Sequence, residues 1–157
     1  MAWRRRAARG IVLAPGPTVL LQQGQDPLDA SQPPYWFLPG GGIDAGESPA
    51  GALRRELLEE CGLRDLKVGP LLWEQRAVFR FAGIDFDQAE QVLLVRVPVA
   101  VEVRPTALEA LEALAFRAAR WWPLDEVVTT SEVVHPVDLA TRLRTAGLLD
   151  PPGAGEG

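Results

Sequence analysis

The stretch GGIDAGESPAGALRRELLEECGL, running from Gly41 to Leu63, decides how the rest of the chain is read. Ser48 is a good helix N-cap, Pro49 sits at the first helical position where its missing N–H costs nothing, and Gly62 offers a left-handed stop. The spacing predicts a helix over Pro49 to Cys61. At about 100° per residue, Ala50, Leu53, Leu57 and Cys61 form one stripe, the expected core face. Glu56, Glu59 and Glu60 fall on a neighbouring arc, so three carboxylates share one side at the edge of that stripe.

For a helix alone this arrangement is unfavourable. Carboxylates one turn apart repel by about 0.2–0.5 kcal/mol, and Glu59 and Glu60 stand at the carboxy end, where the macrodipole favours cations. A hard divalent cation with oxygen ligands, Mg²⁺ or Mn²⁺, converts the repulsion into coordination. The bland alternative is a solvated acidic face in which Arg55 pairs with Glu59 one turn on.

Spacing decides between them. Gly41 is followed by five residues and Glu47, then seven more lead to Arg55-Glu56-Leu57, Leu58, Glu59-Glu60, Cys61, Gly62 and Leu63. This resembles the Nudix box at every specified position. The lead-in Trp36 to Gly42 and the late segment Trp121 to Glu126 also resemble family features. The resemblance implies an α/β fold, the Nudix α/β/α sandwich with a mixed β-sheet between helices. It also implies an Mg²⁺- or Mn²⁺-dependent hydrolase that cleaves a phosphoanhydride bond of a nucleoside diphosphate linked to another moiety.

By that resemblance Glu56, Glu59 and Glu60 are metal ligands, Glu47 sits near the metal or holds Arg55, and Arg55 orients the carboxylates. Glu56 is the favoured general base, with Glu59 or a late-loop acid as alternatives. Glu112 leads the late-loop candidates, with Glu109 and Glu90 behind it. Gly40, Gly41 and Gly42 form the loop that lets backbone approach helix and substrate closely.

Length and composition agree. At 157 residues one domain is expected over 1–149, followed by a disordered acidic Pro/Gly tail over 150–157. A hydrophobic fraction of 47% with 24% charged residues is ordinary for a soluble protein, and no apolar run reaches the roughly 18 residues of a membrane span. The net charge of −5 argues against a dedicated nucleic-acid binder. Basic Met1 to Arg9 lacks a following h-region, and the lone Cys61 fits a reducing compartment, so the expected location is cytoplasmic. A homodimer through Trp121, Trp122 or the closing helix is the expected partner arrangement.

Along the chain, Arg6–Leu13 and Thr18–Gln23 read as a hairpin turning at Pro15-Gly16-Pro17. Gln25–Pro34 reads as a loop, Leu71–Phe81 and Gln91–Val101 as a second strand pair, and Thr106–Ala115 as a short helix or ordered loop. Arg117–Trp122 reads as a last strand, Leu124–Val128 as a helical turn, and Val137–Leu148 as an amphipathic helix. Trp73, Phe79, Phe81 and Trp121 are expected in the core, Cys61 as buried filler, and His135 as a surface or packing residue.

The substrate is open. The proline of many ADP-ribose hydrolases is replaced by residues around Val78 to Arg80, and the tyrosine suggestive of diadenosine polyphosphate hydrolases is absent, Tyr35 lying upstream. Ser31-Gln32-Pro33-Pro34 precedes the box, whereas the similar motif of NADH pyrophosphatases follows it. A nucleoside triphosphate or nucleotide sugar is left, with nucleotide-pool sanitising as the expected role. The alternative is a nucleotide-binding sensor that does not hydrolyse. An isoprenyl diphosphate isomerase would need catalytic cysteine elsewhere than Cys61.

Overall fold

The computed structural model of the chain describes residues 1–108 and 110–153. β1 (Trp3–Ala14) turns through Pro15-Gly16-Pro17 into β2 (Thr18–Gly24), as the sequence leads one to expect. β3 (Tyr35–Phe37) and β4 (Gly40–Gly42) lead into α1 (Pro49–Cys61). Then come the long hairpin β5 (Val68–Phe81) and β6 (Ile84–Arg96), α2 (Ala110–Ala115), β7 (Phe116–Pro123), α3 (Leu124–Thr129), β8 (Val133–His135) and α4 (Leu139–Thr145).

The strands form one mixed sheet in the order β5-β6-β1-β2-β3-β8, with β4 added to β1 and β7 to β2. β1 runs parallel to β6 and β3 parallel to β8; the other pairs are antiparallel. Two apolar cores result, as in an α/β sandwich. One joins Ala8, Val12 and Leu20 to Ala52, Leu53 and Leu57 of α1. Gly10 permits that approach, since a Cβ there would already touch Leu53 at 3.4 Å. The other core gathers Ile11, Leu21, Trp36 and Trp122 under Leu124 of α3 and Leu143 of α4.

Several boundaries differ from expectation. β6 starts at Ile84 and ends at Arg96 instead of spanning 91–101. The buried stripe of α1 runs through Ala52, not Ala50, and includes Glu56 and Glu60. Trp122 is 1% exposed and meets Trp36 edge-on at 5.1 Å, so it is core and cannot form a dimer surface. α4 is shorter than 137–148: Val137 is left exposed ahead of it, and Gly147 takes a positive φ just beyond its end. Glu109 and tail residues 154–157 lie outside the described residues. No described helix is long and apolar enough to cross a membrane.

Candidate active site and metal centre

Local chemistry sets the ends of α1. Ser48 Oγ accepts from Gly51 N–H at 3.0 Å, and Pro49 begins the helix. At the far end Gly62, with φ of 70°, donates to Leu58 O at 3.0 Å, and Leu63 N–H returns to Leu57 O at 3.1 Å. The remaining carbonyls of the last turn are taken by a distant segment. Arg104 N–H donates to Cys61 O, Thr106 and Ala107 N–H both donate to Glu59 O, and the Thr106 hydroxyl donates to Leu58 O at 2.7 Å. That docking leads into α2 and carries Glu112 to the helix.

The result is a carboxylate cluster. Among the described residues, Glu56, Glu60 and Glu112 each offer an oxygen within 4.8 Å of the others, with Glu56 and Glu60 buried. Burial, and then the hydrogen bond and charge of Glu56, push the Glu60 carboxyl well above its ordinary range. Three converging hard oxygen donors in a half-dry site fit Mg²⁺ or Mn²⁺. Nothing in the donor set suits a softer metal, since buried Cys61 is capped by Gln22 at 3.7 Å and its thiol is pushed up chiefly by burial.

Arg55 organises the acids around that cluster. It donates from Nε and Nη2 to both oxygens of Glu47 at 2.8 Å, from Nη1 to Glu56 at 3.0 Å, and from Nη2 to Gly42 O at 3.0 Å. Glu59 lies farther off, at 3.5 Å. The bidentate bond to Arg55, helped by Asp44 N–H, holds the Glu47 carboxyl down to about 2. Glu47 is therefore engaged with Arg55 and stands outside the carboxylate cluster, as does half-exposed Glu59. Lysine cannot reproduce this fork, so Arg55→Lys is expected to lower kcat/KM by about 10- to 100-fold with little change in melting temperature. Steady-state kinetics beside a thermal melt checks this.

The glycines are needed where they stand. Gly40 has φ of 134°, and a Cβ on it would lie 2.1 Å from Ala8 O. A Cβ on Gly41 would lie 2.7 Å from the Glu56 carboxylate. The segment thus passes close beneath the acid it faces.

A family model described as NUDIX domain matches residues 3–141. The chain belongs to the Nudix hydrolase family. An RNA pyrophosphohydrolase from Sulfurovum sp. is 32% identical over 100 residues, covering 60% of this chain and 64% of that protein. One from Helicobacter pylori is 54% identical over 33 residues, 21% of each chain, so the match spans about a fifth of that relative. The Escherichia coli dihydroneopterin triphosphate pyrophosphohydrolase structure superimposes with a TM-score of 0.65 at 14% identity, covering 92% of this chain and 97% of that one. It shows the shared fold.

Beside Glu56, Glu59 and Glu60 of the Nudix helix, the cleft of about 1650 Å³ is lined by Trp3, Arg5 and Arg9 of β1, Phe86 and Glu90 of β6 and residues 75–81 of β5, with Gln88 buried behind it. The register aligns Trp3, Phe86 and Phe79 in one row, Arg5, Gln88 and Ala77 in the next, and Ala7, Glu90 and Gln75 in a third. Arg5 Nε donates to Gln88 Oε1, Gln88 donates to Glu90 at 2.9 Å, and Arg9 Nε and Gln75 Nε2 each reach Glu90 at 2.9 Å. Glu90 is thus bound on both oxygens and is no free base. This wall escaped the sequence reading; the alternation of Phe86, Gln88 and Glu90 is its only signal.

Burial raises the Glu90 pKa, but Arg9 and the three hydrogen bonds outweigh it and hold the group below 4.5. A depressed folded pKa contributes stability above the unfolded value and loses it as pH falls through the folded value. Acid unfolding of the Nudix domain is expected to steepen below pH 4.5, with Glu90→Gln flattening that limb; circular dichroism against pH reads it. Of the other residues, His135 packs edge-on against Tyr35 at 5.7 Å, its pKa lowered by burial, and Trp121 Nε1 donates to Val101 O.

Proposed function

We propose that this chain is a divalent-metal-dependent pyrophosphohydrolase that cleaves a phosphoanhydride bond of a nucleoside diphosphate joined to a further phosphate or a sugar. The observation that supports this best is the convergence of Glu56, Glu60 and Glu112 beside an Arg55 held in place by Glu47. These three glutamates hold the cation, with Glu59 at the rim of the site. When bound, Mg²⁺ or Mn²⁺ supplies charge neutralisation at the diphosphate and a more acidic water.

The chain's own groups do the remainder. Glu56, oriented by Arg55 at 3.0 Å, takes the proton of the attacking water as it adds to phosphorus and the departing phosphate leaves with the bridging oxygen. Glu47 acts through Arg55, keeping the guanidinium from swinging away. The Gly40 to Gly42 backbone admits the phosphates to the helix without side chains in the way. We read residues 1–149 as one domain acting on small nucleotides in the cytoplasm, with nucleotide-pool sanitising as its role.

A panel of normal and oxidised dNTPs, nucleotide sugars, ADP-ribose, dinucleoside polyphosphates and a 5′-triphosphorylated RNA, assayed with Mg²⁺ and then with EDTA, tests this. The RNA belongs in it because relatives carry the name RNA pyrophosphohydrolase. Metal-dependent release from any member, lost in Glu56→Gln, supports the reading. Nucleotide binding without turnover across the panel makes the chain a sensor instead.

A further inference from the structure

Among the described residues six arginines line the cleft, and five of them are ion-paired. Arg9 pairs with Glu90 at 2.9 Å, Arg55 with Glu47, Arg76 with Asp87, Arg80 with Asp85 and Arg142 with Asp138. Arg5 makes no ion pair among the described residues. Its Nε is spent on a neutral amide, the Gln88 oxygen, and Gln88 is itself held by its donation to Glu90. Its guanidinium also stacks 5.2 Å from the Trp3 and Phe86 rings. Burial, and next the charge of Arg9, lower its pKa.

A half-buried cation in no direct ion pair, offset only by the charges of Glu56, Glu90 and Glu112, is costly unless an anion arrives to match it. Fixing Nε and one face of the group leaves the two terminal nitrogens as a preoriented fork. That fork borders the phosphate-side loop, because Arg5 Nη1 would lie 3.4 Å from a Cβ on Gly42. It is also near enough to the metal-binding carboxylates for Glu56 and Glu112 to act on its charge. Beyond it Trp3, 53% exposed, and Phe79, 39% exposed, flank buried Phe86 and extend the ring surface outward.

We propose that Arg5 is a specificity-determining residue that grips a phosphate beyond the two at the metal, with the Trp3, Phe86 and Phe79 rings as the adjoining base ledge. This rests on the hydrolase reading and narrows it: the substrate carries a chain of three or more phosphates, on a free nucleotide or at an RNA 5′ end. A sugar-bridged diphosphate has no third phosphate for Arg5 to hold.

The test is calorimetric binding of adenosine β,γ-imidotriphosphate and of ADP-ribose, with Mg²⁺, to the full chain and to Arg5→Gln and Arg5→Lys. Arg5→Gln is expected to weaken the imidotriphosphate by about 10- to 100-fold, the loss of a charge-assisted pair, and to leave ADP-ribose within about twofold. Arg5→Lys recovers part of the loss. On a hydrolysed triphosphate, KM rises while kcat holds; comparing dATP with a 5′-triphosphorylated oligoribonucleotide identifies the source. Equal weakening of both ligands, no weakening, or a wild type that binds ADP-ribose better or binds neither overturns the proposal. Because binding is read directly, an inert but triphosphate-selective protein would sink hydrolysis and leave the Arg5 assignment standing.

Discussion

Glu60→Gln is expected to reduce kcat by about 10³-fold or more while making the metal-free protein more stable than the wild type. Both effects have one origin. Glu60 is 7% exposed and faces Glu56 and Glu112, so without a cation it must either take up a proton or hold a charge buried among like charges. An amide of the same shape removes that repulsion and can still donate to Glu56, which stabilises the empty site by about 1 kcal/mol. The wild type regains its deficit when Mg²⁺ binds, since saturation at a hundred times Kd adds about 2.7 kcal/mol. Melting curves in EDTA and in excess Mg²⁺ are expected to cross: the variant higher without metal, the wild type higher with it. Equal Mg²⁺ shifts in the two proteins, or wild-type turnover in the variant, would remove Glu60 from the cation site.

Gly40→Ala is expected to destabilise the fold by about 3–5 kcal/mol. The methyl would meet Ala8 O at 2.1 Å and Arg9 Cα at 2.9 Å, both backbone, in a φ region that L residues rarely enter. Neither neighbour can rotate away, so β4 must leave β1 and the Arg9 bond to Gly40 O goes with it. Two neighbouring glycines calibrate the result. Gly46, with φ of 80° and nothing within 4 Å, is expected to cost only about 1 kcal/mol as alanine. Gly41→Ala meets a side chain, the Glu56 carboxylate, so it is expected to fold and to lose activity instead. Denaturant midpoints and kcat measured on the three variants separate these cases; a Gly40→Ala protein as stable as Gly46→Ala would refute the steric argument.

Helix α1 was legible to the residue because its signals are local: Ser48, Pro49 and Gly62 each act within one turn. The pairing of Arg55 with Glu47 came only from the family resemblance, as one of two alternatives; the local spacing pointed to Glu59, which lies farther off at 3.5 Å. Glu112 was harder. Its place depends on Thr106 and Ala107 bonding to the last carbonyls of α1, a contact across almost fifty residues that no periodicity records. The start of β6 was missed because its inward face is polar. Buried Gln88 and cleft-lining Glu90 take inward positions, so the alternation of apolar-in and polar-out that marks a strand is inverted there. Arg5 stayed hidden among Arg4 and Arg6 until strand pairing put it opposite Gln88.

The strand wall beside α1 has a consequence for how this protein can change. In the proposed function, hydrolysis resides on a helix and the segment clasped to its end, whereas the surface offered to the rest of the substrate comes from cleft-lining positions of β1, β5 and β6. Those positions can be exchanged one at a time with no effect on the helix caps or on the main-chain ladder. Lineages could therefore drift from one nucleotide to another while inheriting the bond-breaking apparatus unaltered.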